Sequence, residues 1–540
     1  MLVLVTDDQT VEQMRAMPRV QALLADAGTT FEQAVVNYPL CCPSRATLLT
    51  GQFAHNHGVL SNSAPLGGYG RLPKHNSLPL WLQRGGYRTI HLGRTLNLYG
   101  WGNPYAIPPG WNEWYTPVGS HAFRYWGYTI NENGLLATYG ADEDPLGYQT
   151  DFLARRGADI ISRVAPLPTP FFLLVSFLAP HTGRPSEPGD PTLLGTPAVA
   201  PRHRGAFANE RLTRHPSFDE ADVSDKPVHI RNRTPIPPEY QHAMEAAWKQ
   251  ELESLLAVDE GIALIVEQLA AAGELDNTVV FFTSDHGFFH GEHRIRAGKG
   301  LPYDPALRVP LIVRGPGVPA GERRRQLVSN ADIAPTILDA AGVEPGRRQD
   351  GRSLFPLLAD KRLEYGRDIL IEGSLQGAVR PTWAGLRTYR YQYVQHENGE
   401  RELYDLERDP HQLQSLHDDP RYAEVRGILR RRLARLRDCL GEDCYEPPRL
   451  RIRVKPGRCA PPRFRAELVG SGVRVTRRVE YYIKRARVGR SRRAPFARRP
   501  WRSGVRPKKG FVLRARAHTL DGRVVTVDRE LRACPRGRSR

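Results

Sequence analysis

Thiols, carboxylates and cations gather at the ends of apolar runs in this chain. Leu2–Val5 ends in Thr6-Asp7-Asp8, Tyr87–Leu92 in Gly93-Arg94, Phe171–Leu178 in Ala179-Pro180-His181, and Val279–Phe282 in Thr283-Ser284-Asp285-His286. A further stretch, Cys41-Cys42-Pro43-Ser44-Arg45-Ala46-Thr47-Leu48-Leu49-Thr50-Gly51, sets two thiols before a Pro and an Arg. Asp7, Asp8 and Asp285 offer the oxygen ligands that a hard cation prefers. His286 is a softer donor, more typical of manganese, iron or zinc sites. Pro43 fits the first position of a helix, and a helix start presents free N–H groups to an anion. Arg45 and Arg94 carry the planar, permanently charged fork that binds oxyanions. His181 is a proton carrier at a strand end. Each feature alone has a plain structural reading: a buried Cys pair beside a helix, an Asp-Asp helix cap, a structural Asp-His pair, a core histidine.

The elements that must position these residues are strands and helices in alternation. Short apolar runs rich in β-branched and aromatic residues read as buried strands. Between them, Thr150-Asp151 opens a helix with Phe152, Leu153, Ile160, Ile161 and Val164 roughly on one face, and a second helix runs from about Glu239 to Ala272. Alternation of this kind predicts an α/β fold with a largely parallel sheet, whose ligands sit at the carboxyl ends of strands. Residues 182–238 are rich in Pro, Arg, His and Gly. So long a loop is either a functional cleft wall or a surface excursion.

From about Asp368 the pattern changes. Thr388–Val394 alternates as an antiparallel strand, Glu402–Leu406 follows, and Tyr422–Leu440 reads as a helix. Pro447-Pro448 and Pro461-Pro462 mark a linker region. Beyond it, Val473–Val475, Val479–Ile483, Phe511–Ala517 and Arg523–Val527 read as short strands, with an Asp521-Gly522 hairpin turn. The expected domains are therefore 1–367, 368–446 and 447–540, the last a small immunoglobulin-like β-sandwich. Of the six cysteines, Cys439 with Cys444 and Cys459 with Cys534 are candidate disulfides, which would imply an oxidising compartment.

The 540 residues carry a net charge of +19, and it is not evenly spread. Residues 451–540 hold 29 Lys and Arg against 5 Asp and Glu, a net of +24, so the preceding 450 residues sum to −5. The basic character belongs to the tail. It suits an acidic polysaccharide partner, and it equally suits an Arg-rich codon usage; no specific nucleic acid is expected. No apolar run reaches the roughly 18 residues needed to span a membrane.

Cys-x-Pro-Ser-Arg with a Leu-Thr-Gly tail resembles the signature of type I, formylglycine-dependent sulfatases. Cys-Cys-Pro-Ser-Arg, Leu96 and His55-Asn56-His57 point to the N-acetylglucosamine-6-sulfatase and arylsulfatase branch. The resemblance covers residues 1 to about 446. It implies an alkaline-phosphatase-like α/β fold with a small antiparallel C-terminal sheet. It also implies that Cys41 is oxidised, by a formylglycine-generating enzyme, to 3-oxoalanine, whose aldehyde hydrate attacks sulfur. By the same resemblance Asp7, Asp8, Cys41, Asp285 and His286 hold one divalent cation, calcium by preference. Cys41, Arg45, His181, Lys299 and Arg94 form the catalytic set. Arg94 departs from the family, which has Lys there, and His286 replaces a frequent Asn. The implied function is release of sulfate from a sulfated sugar or aryl sulfate. The alternatives are a phosphonate or phosphodiester hydrolase with the same pocket, or a catalytically weak glycan-binding surface protein. The expected location is secreted or cell-surface, although the chain opens directly on a strand-like Met1–Val5 without a leader pattern.

Overall fold

The computed structural model describes residues 1–140, 147–375, 381–445, 449–455, 465–494, 496–497, 510–520 and 522–532. Ten strands form one sheet: β1 (Leu2–Asp7), β2 (Thr29–Val35), β3 (Arg88–Gly93), β4 (Glu113–Pro117), β5 (Tyr128–Glu132), β6 (Leu135–Tyr139), β7 (Phe171–Pro180), β8 (Val280–Ser284), β9 (Leu311–Arg314) and β10 (Glu322–Ser329). Their order is β10-β2-β9-β8-β1-β7-β3-β4-β5-β6. The centre, β8-β1-β7-β3-β4, is parallel throughout. β9 and the β5–β6 hairpin run against their neighbours.

β1 shows why the central strands are apolar without alternation. Leu2 and Leu4 face one core and Val3 and Val5 the other. A strand covered on both sides by helices has no wet face to make polar. One side carries helices Gln149–Val164 and Pro238–Ala271, and the other carries Cys41–Thr50, Leu78–Arg84 and Ile333–Ala341. The parallel strands all deliver their carboxyl ends to one edge of the sheet.

A second sheet, β11 (Ile369–Gly373), β12 (Trp383–Arg387), β13 (Tyr391–His396) and β14 (Arg401–Asp405), is antiparallel and packs on helix Ala423–Leu436. That helix is shorter than the 422–440 span expected from the sequence. A disulfide joins Cys439 to Cys444 just after it.

The C-terminal module has its own core and two antiparallel sheets. One pairs β15 (Arg451–Lys455) with β16 (Arg465–Val469); the other comprises β17 (Thr476–Ile483), β18 (Ala486–Ser491), β19 (Phe511–Thr519) and β20 (Val524–Leu531). Residues expected as a strand at Val473–Val475 instead close a 3-10 turn over Ser471–Val475. The β19–β20 hairpin is present, with Gly522 at φ +82°. Cys459, Cys534 and the two Pro-Pro pairs lie outside the described residues, as does Asp521. The module docks through a Tyr365–Val525 bridge and through Arg514 on Asp360 and Arg516 on Glu364.

Candidate active site

The helix carrying the Cys motif starts earlier than the sequence suggests. It spans Cys41–Thr50, with Leu40 as an extended N-cap and Pro43 in the third helical position. The first-turn N–H groups have no intrahelical partner, so a Pro there forfeits nothing. The helix ends at Gly51, φ +66°, whose N–H donates to the Thr47 carbonyl at 2.8 Å. A side chain on Gly51 would collide with Gln349.

Consecutive helical side chains diverge by about 100°, and this separates the two thiols. Cys42 turns into the core that also holds Val3 and Val5, and its Sγ accepts the Asn97 N–H at 3.2 Å. Burial pushes the Cys42 thiol up to about 12. Cys41 points the other way, with Sγ 3.3 Å from His286 Nε2. Burial opposes its ionisation too, but Lys299 and His286 hold its pKa below the ordinary value.

Around Cys41 the strand ends converge. Ligand atoms of Asp7, Cys41, Asp285 and His286 lie within 4.8 Å of one another, and so do those of Asp7, Asp8, Cys41 and His181. Asp7 is fully buried. Its Oδ2 accepts from Arg45 Nη2 at 2.7 Å and from Arg94 Nη1. Its Oδ1 has no hydrogen-bond partner. Burial would raise the Asp7 pKa; Arg94 and Arg45 outweigh it and hold the carboxyl ionised. Arg45 also donates from Nε to Asp285 Oδ2 at 2.8 Å and from Nη1 to Ser176 Oγ at 2.5 Å. His286 Nδ1 stands 3.2 Å from Asp8 Oδ1. Burial opposes a charge on His286, yet Asp285 lifts it to about 9. A fully buried carboxylate oxygen without a donor, among three Asp and a His, fits a divalent cation, which would take that lone pair.

The remaining predicted residues also lie here. Lys299 Nζ donates to Asp8 Oδ1, and His181 Nε2 is 3.7 Å from Asp8 Oδ2. Burial holds the His181 pKa below its ordinary value despite Asp8. Arg94 is 1% exposed. It pairs with Asp7, donates to Asn97 Oδ1 at 3.0 Å and lies over the Phe123 ring at 4.3 Å. Its guanidinium is thus anchored on the Asp7 carboxylate rather than left as a stray charge. His293 is tied to Glu220, at 2.6 Å, away from the cluster. His290 bonds Glu251 at 2.7 Å and lines the cleft itself.

That cleft, about 300 Å³, opens beside the cluster and is lined by Asp8, His181, Lys299, His290 and Arg296 among others. Thr182, Leu194 and Gly195 form part of its wall, so the long 182–238 segment does border the site. Sequence reasoning missed Ser176, Glu251 and Arg296. Ser176 had a signal: it is the one polar residue inside the apolar run Phe171–Leu178.

A family model described as "Sulfatase" matches residues 2–343, and one described as "N-sulphoglucosamine sulphohydrolase, C-terminal" matches residues 291–439. The chain belongs to the sulfatase family. A putative extracellular sulfatase Sulf-1 homolog of Caenorhabditis elegans is 35% identical over 67% of this chain, which spans only 49% of that relative. Goat (Capra hircus) N-acetylglucosamine-6-sulfatase is 30% identical over 83% of this chain and 84% of its own length. Among solved structures, one in complex with its substrate D-glucosamine-2-N,6-O-disulfate superposes with a TM-score of 0.67 at 25% identity, covering 80% of this chain and 96% of that one. A phosphonate monoester hydrolase of Agrobacterium radiobacter follows the same fold, with a TM-score of 0.57 at 25% identity over 81% and 95% of the two chains.

Proposed function

We propose that this chain is a sulfuric ester hydrolase that releases sulfate from a sulfated sugar, with aryl sulfates as small surrogates. The observation that supports it most is that Asp7 and Cys41 are shared by two clusters, one with Asp285 and His286 and one with Asp8 and His181, each with its ligand atoms within 4.8 Å of one another, and that Lys299 pairs with Asp8 beside them. Cys41 is read as the residue converted to formylglycine, because Cys42 is committed to the core. Asp7, Asp8, Asp285 and His286 would hold one divalent cation, calcium on family grounds. When both are in place, the aldehyde hydrate supplies the nucleophile and the cation supplies positive charge to it and to the sulfate oxygens.

The chain's own residues do the rest. Arg45 braces Asp7 and Asp285 at once, fixing two carboxylates from separate strands. Arg94 closes Asp7 from the other side and cannot donate a proton at neutral pH. Lys299 and His181 face the cleft, where cations aimed at the ester oxygens lower the barrier as charge moves to the leaving oxygen. His181, neutral at rest, would take the proton released by the attacking hydroxyl and, as imidazolium, pass it to the leaving oxygen. The same pocket suits a phosphonate or phosphodiester, a reading that the Agrobacterium neighbour keeps in play. A catalytically weak glycan-binding surface protein is the lesser reading, because the departure at Arg94 is paired and buried rather than a sign of decay. The C-terminal module would hold acidic polysaccharide. The disulfide and the extracellular names of two relatives support a secreted or cell-surface location.

Turnover of a sulfate ester against a phosphodiester, with a mass spectrum of the peptide carrying Cys41, tests the reading. Cys41→Ala should lower sulfate release by about 10³-fold or more, and Cys42→Ala should keep most of it. Full activity in Cys41→Ala would overturn the assignment. Chelation should abolish turnover and calcium restore it; restoration by manganese or zinc alone would shift the metal assignment to one set by His286.

A further inference from the structure

We propose that the cleft holds a second anion subsite, centred on Arg296, so that the preferred substrate carries another negative group besides the scissile sulfate. This deepens the sulfatase reading and rests on it. Arg296 lines the same cleft as Lys299, three residues away in the chain. Among the described residues it makes no ion pair; its guanidinium carbon lies over the Tyr240 ring, 4.2 Å from the centre. Stacking of that kind fixes the guanidinium plane and leaves its N–H fork free. Arg233 stands close by. Burial, reinforced by Arg296, holds its guanidinium below the ordinary pKa, and its Nε is buried without a partner. Two half-buried arginines that repel each other, neither making an ion pair among the described residues, are a costly arrangement that an anion would relieve.

The other charges of the cleft are already answered. Asp8 faces Lys299 and His181, and Glu251 takes the His290 ring and the Gln13 amide. The backbone that presents Arg296 is also fixed. His293 and Arg294 both sit at left-handed φ, +52° and +60°. His293 is pinned to Glu220, and Arg294 donates to the carbonyls of Glu220, Ala221 and Arg233. Two consecutive non-glycine residues in that region store strain, which persists where the surroundings over-determine it. The 220–233 segment and the 293–296 turn are thereby locked together, and Arg296 is aimed before any ligand arrives. The fitting chemistry is a sulfated sugar with a second sulfate on the same ring or a carboxylate on the neighbouring one. The shared requirement is an oxyanion that presents two oxygens to a guanidinium fork.

Calorimetric titration of the full chain carrying Cys41→Ala, which holds ligand without turnover, reads the subsite directly. The probes are N-acetylglucosamine 6-sulfate, glucosamine bearing both N- and 6-sulfates, and a disaccharide of N-acetylglucosamine 6-sulfate with a uronic acid. The expected result is at least about tenfold tighter binding of one dianionic probe over the monoanionic one. In R296Q that preference should collapse towards unity, and in R296K it should be partly kept. Which probe loses its advantage distinguishes a ring sulfate from a neighbouring carboxylate. In the otherwise native chain, R296Q should lower the kcat/KM ratio of dianionic to monoanionic substrate through KM. An unchanged preference in R296Q, or equal binding of all three probes before substitution, overturns the subsite. Absence of sulfate release by the native chain from any of them would instead sink the sulfatase reading, whatever the titration shows.

Discussion

Arginine is used in opposite ways at the two ends of this chain. At the sheet edge Arg45 and Arg94 are 6% and 1% exposed, and both meet Asp7. In the C-terminal module Arg453 and Arg487 leave 57% of their side chains in water and meet Glu467 and Glu480 only at 3.5 Å. Buried guanidiniums of the first kind set the position and ionisation of the carboxylates they touch. Exposed ones of the second kind are screened and contribute little to stability pair by pair. Charge count alone would have ranked the tail first; the chemistry sits where the net charge is slightly negative.

The comparison breaks most visibly at Arg94. Arg94→Ala removes one of two guanidiniums from a buried Asp7 and leaves a cavity beside Phe123. Removing one partner of a buried pair costs about 3–5 kcal/mol. Chemical denaturation should show a loss of that order, and sulfate release should fall on the order of 100-fold, or about 2.7 kcal/mol of transition-state stabilisation. Arg94→Lys, which keeps a charge on a slimmer side chain, should recover part of both. A stable, fully active Arg94→Ala would mean that Arg45 alone positions Asp7.

A second cation lies at a joint rather than in the site. His55 reaches Glu372 at the end of β11 and the Cys439 carbonyl at 2.9 Å, so it ties the Cys41 side of the molecule to the second sheet. Burial opposes its charge, but the Glu372 hydrogen bond and charge raise it to about 9. A folded pKa above the unfolded 6.5 adds stability that is complete below about pH 6.5 and is lost as the pH rises through about 9. The size is on the order of 2–3 kcal/mol. Melting temperature in His55→Gln should therefore fall below that of the native chain at pH 6, and the two should approach each other at pH 10. Parallel curves across that range would refute the assignment.

What could be read from the sequence follows from how local each feature is. Asp7-Asp8 and Asp285-His286 were legible because each follows its strand end directly, and Cys41–Arg45 because the motif is contiguous in the first turn of one helix. The helix start at Cys41 was not: Pro43 suggested the first position, but any first-turn position tolerates its missing N–H. Val473–Val475 has strand composition, yet it closes a turn after Gly470 at φ +119°, a tertiary choice that composition does not carry. The cleft wall escaped for the same reason. Arg296 and Glu251 are unremarkable in their own segments and acquire meaning only when helix Pro238–Ala271 is packed against the turn at Gly291–Ile295.

The smallest expected effect is at the tail, and it tests the other half of the comparison. If the exposed arginines serve as a polyanion anchor, their contribution is collective, through counterion release, and is strongest at low salt. Simply deleting the module is a blunt test, because Arg516 is the partner of a largely buried Glu364, and Tyr365 bridges to Val525. A deletion near residue 446 should still fold on the strength of the catalytic sheets, at some cost along that seam. Neutralising Arg453, Lys455 and Arg487 together keeps the seam, since none of them meets residues 360–368. Their side chains are 57%, 63% and 57% exposed, so folding should be unaffected. Heparin affinity chromatography should show the triple Gln variant eluting at lower salt than the native chain, and the deletion lower still. Turnover of a small aryl sulfate, which has no polymer to anchor, is the control and should stay within about twofold. Identical elution of all three proteins would leave the tail's charge without a binding role. A deletion that remains folded but loses aryl sulfate turnover would show that the module supports the cleft, and that buried and exposed arginines are less separate than their surroundings suggest.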